Sequence, residues 1–183
     1  MTACHDTNLR SLSKLAGVAL LAILTCIALT ACKPAEVAKK EPASPDTYFP
    51  IGFGGKTLYL QLAITPAEQQ KGLMFRKELA TDHGMLFLSQ QPRPQGFWMK
   101  NTSLPLDIGY LDAGGSLVEV HKLFPFDETP VASRSQKILI AVETNRGWYT
   151  KNDIKPGAQL EMEALKAALA ERGFTAEAYP FIE

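Results

Sequence analysis

Residues Lys56–Ile64 read Lys-Thr-Leu-Tyr-Leu-Gln-Leu-Ala-Ile, with Leu58, Leu60, Leu62 and Ile64 at every second position. A strand sends alternate side chains to opposite faces, so this period of two predicts a strand with an apolar face that must be covered. Shorter pieces continue the theme. Gly84–Ser89 is an apolar run suited to a buried strand, and Phe97–Lys100 follows it. Leu106–Leu111 and Leu117–Leu123 flank Asp112-Ala113-Gly114-Gly115, a turn signal between strands. Lys137–Val142 is apolar on both faces, as a central strand must be. A last strand is predicted at Gln159–Met162, after the turn residues Lys155-Pro156-Gly157.

Helices are short. Thr65-Pro66-Ala67-Glu68 combines an N-cap, Pro at the first helical position and Glu at the third, with Gly72 placed to stop the helix. Thr144 or Asn145 can cap a helix through about Lys151, in which Trp148 is an apolar anchor and Gly147 permits close approach. Ala164–Arg172 carries Leu165, Ala168 and Leu169 on one stripe, ended by Gly173. No parallel βαβ rhythm is visible. The expected fold is mainly β with short helices (α+β), a compact antiparallel domain forming a partly closed β-barrel.

The N-terminus is an address rather than part of that fold. Arg10 and Lys14 precede the apolar run Leu15–Ala28, followed by Leu29-Thr30-Ala31-Cys32. A positive start, a short apolar core and small residues at a cleavage point are the layout of a secretory signal. About 14 apolar residues are too few to span a membrane comfortably, which takes about 20. Thr30-Ala31-Cys32 resembles the lipobox of bacterial lipoproteins, which implies cleavage before Cys32 and lipidation of its sulfur and new N-terminus. Lys33 follows where an Asp would retain a lipoprotein in the inner membrane, so the periplasmic face of the outer membrane is the expected location. The organisation is then a signal peptide at 1–31, lipidated Cys32 with a flexible Pro- and Lys-containing tether to 45, and one domain at 46–183.

Composition excludes several functions. Removing the signal leaves 17 basic against 18 acidic residues, with no block of like charge, so nucleic acid is not an expected partner. Cys4 and Cys26 leave with the signal, and Cys32 is lipidated. No thiol remains for a disulfide, a nucleophile or a metal site. His83 and His121 lack ligand spacing, and no phosphate-binding glycine loop precedes a helix, so neither metal nor cofactor is expected.

Further residues carry a resemblance. Lys71-Gly72-Leu73-Met74-Phe75-Arg76, Gly84-Met85-Leu86-Phe87, Phe97-Trp98-Met99-Lys100-Asn101-Thr102, Leu104-Pro105-Leu106-Asp107, Gly147-Trp148 and Ile154-Lys155-Pro156-Gly157 resemble, in order and spacing, the uncharacterised family called domain of unknown function 192. The resemblance covers about 55–162. It implies a small β-rich fold and frequent export, and no activity. Ala158 stands where that family usually has Asp, and a helical extension at 164–183 lies outside its core.

The densest chemistry is Trp98, Lys100, Asn101 and Thr102 with Asp107, and Gly109 leaves space beside that carboxylate. In a strand, Trp98 and Lys100 face one way and Phe97 and Met99 the other. An aromatic wall, a cation, hydrogen-bonding side chains and a carboxylate suit a small polar ligand or a peptide or glycan segment. Capping of a turn by Asn101 and Thr102, with Lys100 paired to Asp107, explains the same residues without a ligand. Arg76 is a further candidate for binding an anion, or a partner for Glu78 or Asp82. Phe124–Ser135 is a candidate flap. The expected role is non-enzymatic binding of a ligand or envelope partner. The alternative is a small hydrolase of a cell-envelope polymer, with Asp107 as acid or base and His121 or Glu119 as its second group.

Overall fold

The computed structural model describes residues 41–180 and 182, and Glu41–Glu183 form one compact unit. The signal segment, Cys32 and most of the tether lie outside the described residues. Among the described residues, no helix is long and apolar enough to cross a membrane. The tether ends earlier than its composition predicts: Ala43 N–H donates to Glu171 O at 2.7 Å, joining the folded domain.

Among the described residues eight strands form, β1 (Phe49–Phe53), β2 (Lys56–Ala63), β3 (His83–Arg93), β4 (Gly96–Phe97), β5 (Leu106–Leu111), β6 (Leu117–Leu123), β7 (Val131–Ala132) and β8 (Ile138–Asn145). Among the described residues three α-helices accompany them, α1 (Pro66–Lys71), α2 (Trp148–Lys151) and α3 (Met162–Glu171). Six strands make one sheet in the order β1-β2-β3-β8-β5-β6, and β4 pairs with β7 separately. The α+β class and the central place of β8 follow the sequence expectation.

Two details correct it. β2 and β3 are parallel, with Leu62 opposite Leu86, so β2-α1-β3 is a small crossover unit in an otherwise antiparallel sheet. The sheet is also open rather than a barrel. Its edges meet only through a short run: Leu160 N–H donates to Gly115 O beside β6, and Glu161 N–H to Gly52 O in β1, both near 2.9 Å. The strand expected at Gln159–Met162 is reduced to these bridges, Phe53–Leu160 and Ser116–Gln159.

The period of two now has a meaning on each face. Leu58, Leu60 and Leu62 join Leu86, Val142, Trp148, Tyr149 and α3 residues Leu165 and Leu169 in the larger core. Met85, Phe87, Ile108, Tyr110 and Ala141 face the other way, into a second core closed by Leu73 and Met99. Burying a large apolar side chain contributes about 1.5–3 kcal/mol, so both faces are strongly specified. α1 has the expected capping box, Thr65 Oγ1 accepting from Glu68 N–H and the Glu68 carboxylate accepting from Thr65 N–H at 2.9 Å. α2 begins after Gly147, whose φ of 85° supplies a left-handed N-cap. That backbone conformation, rather than close approach, explains the glycine, since a Cβ there would meet nothing within 4 Å.

Candidate functional site

The sequence-predicted residues divide between the two faces of the sheet. Asp107 alternates with Leu106 and Ile108, which enter the second core, so its side chain lies on the opposite face with α2. There its Oδ2 accepts from Gly147 N–H at 2.7 Å, and Arg146 Nε stands 3.1 Å from Oδ1. Arg146 also donates to Leu106 O and Leu123 O, tying three strand ends together. The space beside Gly109 holds the Tyr149 ring, whose hydroxyl donates to Val142 O at 2.8 Å. Lys100 is not the partner of Asp107; its Nζ sits 5.2 Å from the Trp98 ring centroid. His121 is on the second-core face, 2.8 Å from Glu119 and edge-on to Tyr110. Glu119 in turn accepts from the backbone of Arg134 and Ser135, so this pair anchors a loop.

The Phe97–Thr102 run leaves the strand after Phe97 and turns. Met99 N–H donates to Asp127 O, and Thr102 N–H to Met99 O. Asn101, with φ 54°, is in the left-handed region that Asn tolerates, and its carbonyl accepts from Phe75 N–H at 2.9 Å. Thr102 O accepts from Phe126 N–H at 3.1 Å. Phe75 and Phe126 share the left-handed conformation, at φ 64° and 61°, and turn their rings outward, 69% and 64% exposed. Left-handed backbone at a bulky residue is strained. The predicted flap is therefore pinned to this turn at Asp127 and Phe126, and to β4 through β7. Arg76 lies in a neighbouring hollow beside α1, where it donates to Tyr48 Oη and Gln61 Oε1.

What these segments enclose is a residue the sequence reading passed over. Glu143, on β8 between Met85 and Ile108 of the flanking strands, faces the second core and is 4% exposed. Burial pushes its carboxyl up to about 8. No side-chain hydrogen bond to it forms among the described residues. It opens into a narrow cavity of about 30 Å³, shared with Gln69, Leu73, Phe87, Phe97, Trp98 and Thr102. A wider groove of about 240 Å³ shares Gln69, Gln70, Phe87, Phe97 and Trp98 with it and runs out to Ser89, Arg93 and Gln95. Trp98 stands at the junction, 44% exposed. Trp98 and Thr102 thus meet at one cavity, whereas Asp107 and Arg76 do not line it. Among the described residues, no group of three or more His, Cys, Asp or Glu converges as a metal site.

The signal for Glu143 was present. An acid continuing the apolar strand Ile138-Leu-Ile-Ala-Val142 has nowhere to go but the interior unless the strand ends first. A strand that ends at Val142 leaves Glu143 free to turn to solvent, whereas the strand continues to Asn145.

Comparison with known proteins bears on the family and the fold. The model of the family domain of unknown function 192, described as an uncharacterized ACR, matches residues 50–162. A crystal structure from Sinorhizobium meliloti 1021, of a protein named as a candidate transcription regulator, is 34% identical, with a TM-score of 0.59 over 63% of this chain and 95% of the other. A protein of unknown function from Novosphingobium aromaticivorans DSM 12444 is 38% identical, with a TM-score of 0.58 over 62% of this chain and 84% of the other. No curated protein matches.

Proposed function

The chain belongs to the uncharacterised family domain of unknown function 192, and we propose that it is a ligand-binding module held at the cell envelope by a lipid on Cys32. The domain faces the periplasm, with the outer membrane favoured by Lys33. Its ligand lies in the groove between α1 and β3–β4 and reaches the Glu143 cavity.

One observation carries this reading: a carboxyl only 4% exposed and without a protein hydrogen bond, in a small cavity that shares five lining residues, an exposed tryptophan among them, with the neighbouring groove. A buried polar group without a partner costs about 1–3 kcal/mol, a cost that a ligand can recover. The groove offers side-chain amides from Gln70 and Gln95 and an aromatic face, a combination suited to a hydroxyl- and amide-bearing segment such as a cell-wall fragment.

Hydrolysis is disfavoured on the same geometry. General acid–base chemistry needs a second group within reach; no other carboxyl, histidine or cysteine lines the Glu143 cavity, and Lys71, which does, has an exposed side chain. Asp107 is engaged by Arg146 and Gly147 on the far face. Nucleic-acid binding is disfavoured too, because 17 basic against 18 acidic residues give no excess for phosphate backbones.

Soluble cell-wall glycopeptides, titrated into the detergent-solubilised protein, should change the emission of Trp98, and Trp98→Phe should remove that response. Trp98→Ala and Gln70→Ala should weaken binding measured by calorimetry about tenfold. Binding undiminished in both variants, or no binding by any fragment, would end the groove reading.

A further inference from the structure

We infer that the Glu143 cavity is a primary-ammonium site, in which a ligand lying in the groove places an –NH3+ group against the Glu143 carboxylate. This deepens the groove reading and rests on it.

The cavity is acceptor-rich. Thr102 Oγ1 donates its proton to Lys100 O at 3.1 Å, so towards a ligand it can only accept. Gln69 directs its amide NH2 to Leu88 O at 2.7 Å, with Ala63 O and Ile64 O at 3.4 Å, which leaves its Oε1 as an open acceptor. Together with Glu143, the residues that carry these acceptors line one small space, whose lining also includes Gln70 and the exposed Lys71. An ammonium carries three donors and no acceptor, and matches that set.

Size and walls select further. About 30 Å³ admits a group the size of one water, which suits –NH3+ and is too small for the broad, planar guanidinium fork. Phe87 and Phe97 meet edge to face with centroids 4.8 Å apart, and Trp98 completes the aromatic lining. Ring faces attract cations. A carboxylate or phosphate would bring further acceptors against the Thr102 and Gln69 oxygens, which have no proton to give, and a divalent metal would find no second acidic ligand. A hydroxyl would satisfy one acceptor and leave two.

Binding has a proton balance. The empty site holds Glu143 as the neutral acid at neutral pH, because burial raises it to about 8. When R–NH3+ enters, Glu143–COOH gives its proton to solvent and the carboxylate pairs with the ammonium. The groups facing Glu143 are few. Lys71, at the end of α1, lines the same cavity with an exposed side chain; Tyr110 on β5 donates to Val131 O; Tyr149 acts from the opposite face and donates to Val142 O. Desolvation holds both phenols far above neutral pH, so Glu143 is the group that loses the proton.

The test uses n-butylamine as probe and n-butanol as its neutral counterpart, with the full-length protein in detergent, read by Trp98 emission and by calorimetry in buffers of different ionisation enthalpy. Butylamine should bind, tighten about tenfold between pH 6 and 7, and release about one proton. Butanol should bind at least tenfold more weakly, and Glu143→Gln should reduce amine affinity at least tenfold. Proton release is measured on the parent protein and so stands even if Glu143→Gln folds poorly. Equal binding of butanol, an affinity independent of pH, unchanged binding by Glu143→Gln, or no amine binding at all would overturn the proposal. If cell-wall glycopeptides still change Trp98 emission when butylamine does not, the groove survives and only the ammonium class falls.

Discussion

Arg172 Nη2 lies 2.6 Å from Glu68 Oε1, a contact between the C-terminal helical extension and the helix that walls the groove. Arg172 is buried and also donates to Leu62 O at 2.8 Å. Glu68 uses its other oxygen on the N–H groups of Ile64 and Thr65, at 2.8 and 2.9 Å. The extension outside the family core is thus a brace for α1. Burial alone would raise the Glu68 carboxyl, but those backbone bonds and the Arg172 guanidinium outweigh it and hold the group below its ordinary value.

Breaking that brace leaves the Leu62 carbonyl without its donor and the half-buried Glu68 carboxylate without its cation. Arg172→Met should lower stability by about 1–3 kcal/mol in urea unfolding, and Arg172→Lys should restore little, since a point charge cannot serve two acceptors in a planar fork. The Glu68 contribution is present above the unfolded carboxyl pKa and is lost as pH falls through the lowered folded value. The difference between parent and Arg172→Met should therefore shrink on acidification below about pH 4.5. A pH-independent difference would show that packing, not the ion pair, supplies the brace.

Glu143 has the opposite sign. Its folded value of about 8 lies above the ordinary carboxyl value of 4.5, so the folded state binds a proton that the unfolded state has released. Stability should fall by about 1.4 kcal/mol per pH unit across that window and level off above it. Glu143→Gln should abolish this slope without altering the response of Glu68. Parallel stability–pH curves for parent and variant would show that Glu143 ionises freely.

Asp107 and Lys100 should behave independently. Asp107→Ala removes the partner of Arg146 and the acceptor of Gly147 N–H, and should cost about 3 kcal/mol. Lys100→Ala loses only an exposed contact with Trp98 and should stay within about 0.5 kcal/mol of the parent. The double mutant should equal the sum. Recovery in the double mutant would indicate the direct pair that the sequence invited and the fold does not form.

These cases show what the sequence could and could not express. Alternation at Leu58, Leu60 and Leu62 reports burial of one face whatever the neighbouring strand does, so the strand was legible and its parallel pairing to β3 was not. The crossover helix α1 is only 6 residues, too short for a helical period, and residues 72–82 return to the sheet without regular structure. The Phe97–Thr102 constellation was legible as chemistry because turn-forming, aromatic and cationic residues adjoin in sequence. Its true companion, Glu143, comes from a strand more than forty residues later, and Asp107 was the nearer carboxylate. Only the sheet order, which puts β8 between β3 and β5, shows which acid faces the aromatic residues.

Cys32 carries the proposal of anchoring and lies outside the described residues. Cys32→Ser should leave an unprocessed precursor, or a soluble form released by another peptidase, and should not incorporate a palmitate analogue. A single acyl chain anchors only reversibly, whereas two or more hold a protein stably, so the parent should resist salt extraction from membranes. Labelling of Cys32→Ser at the parental level would remove lipidation at this residue.

Gly109 gives the last prediction, because the space it leaves is filled from within the chain. A Cβ at 109 would stand 2.4 Å from Tyr149 Oη and 2.8 Å from Cζ, with Leu117 Cδ1 at 3.0 Å. Tyr149 is fully buried and its hydroxyl is fixed by Val142 O, so the ring cannot retreat without giving up that bond. Overpacking costs about 1–3 kcal/mol, and an unmade buried hydrogen bond a similar amount. Gly109→Ala should therefore destabilise by about 2–4 kcal/mol. Tyr149→Phe alone should cost about 1 kcal/mol. In the Gly109→Ala background it should cost less than that or even stabilise, since it removes the atom that the new methyl strikes. Urea unfolding of the two single mutants and the double gives the coupling. Strict additivity would mean that the new methyl does not strike the Tyr149 hydroxyl.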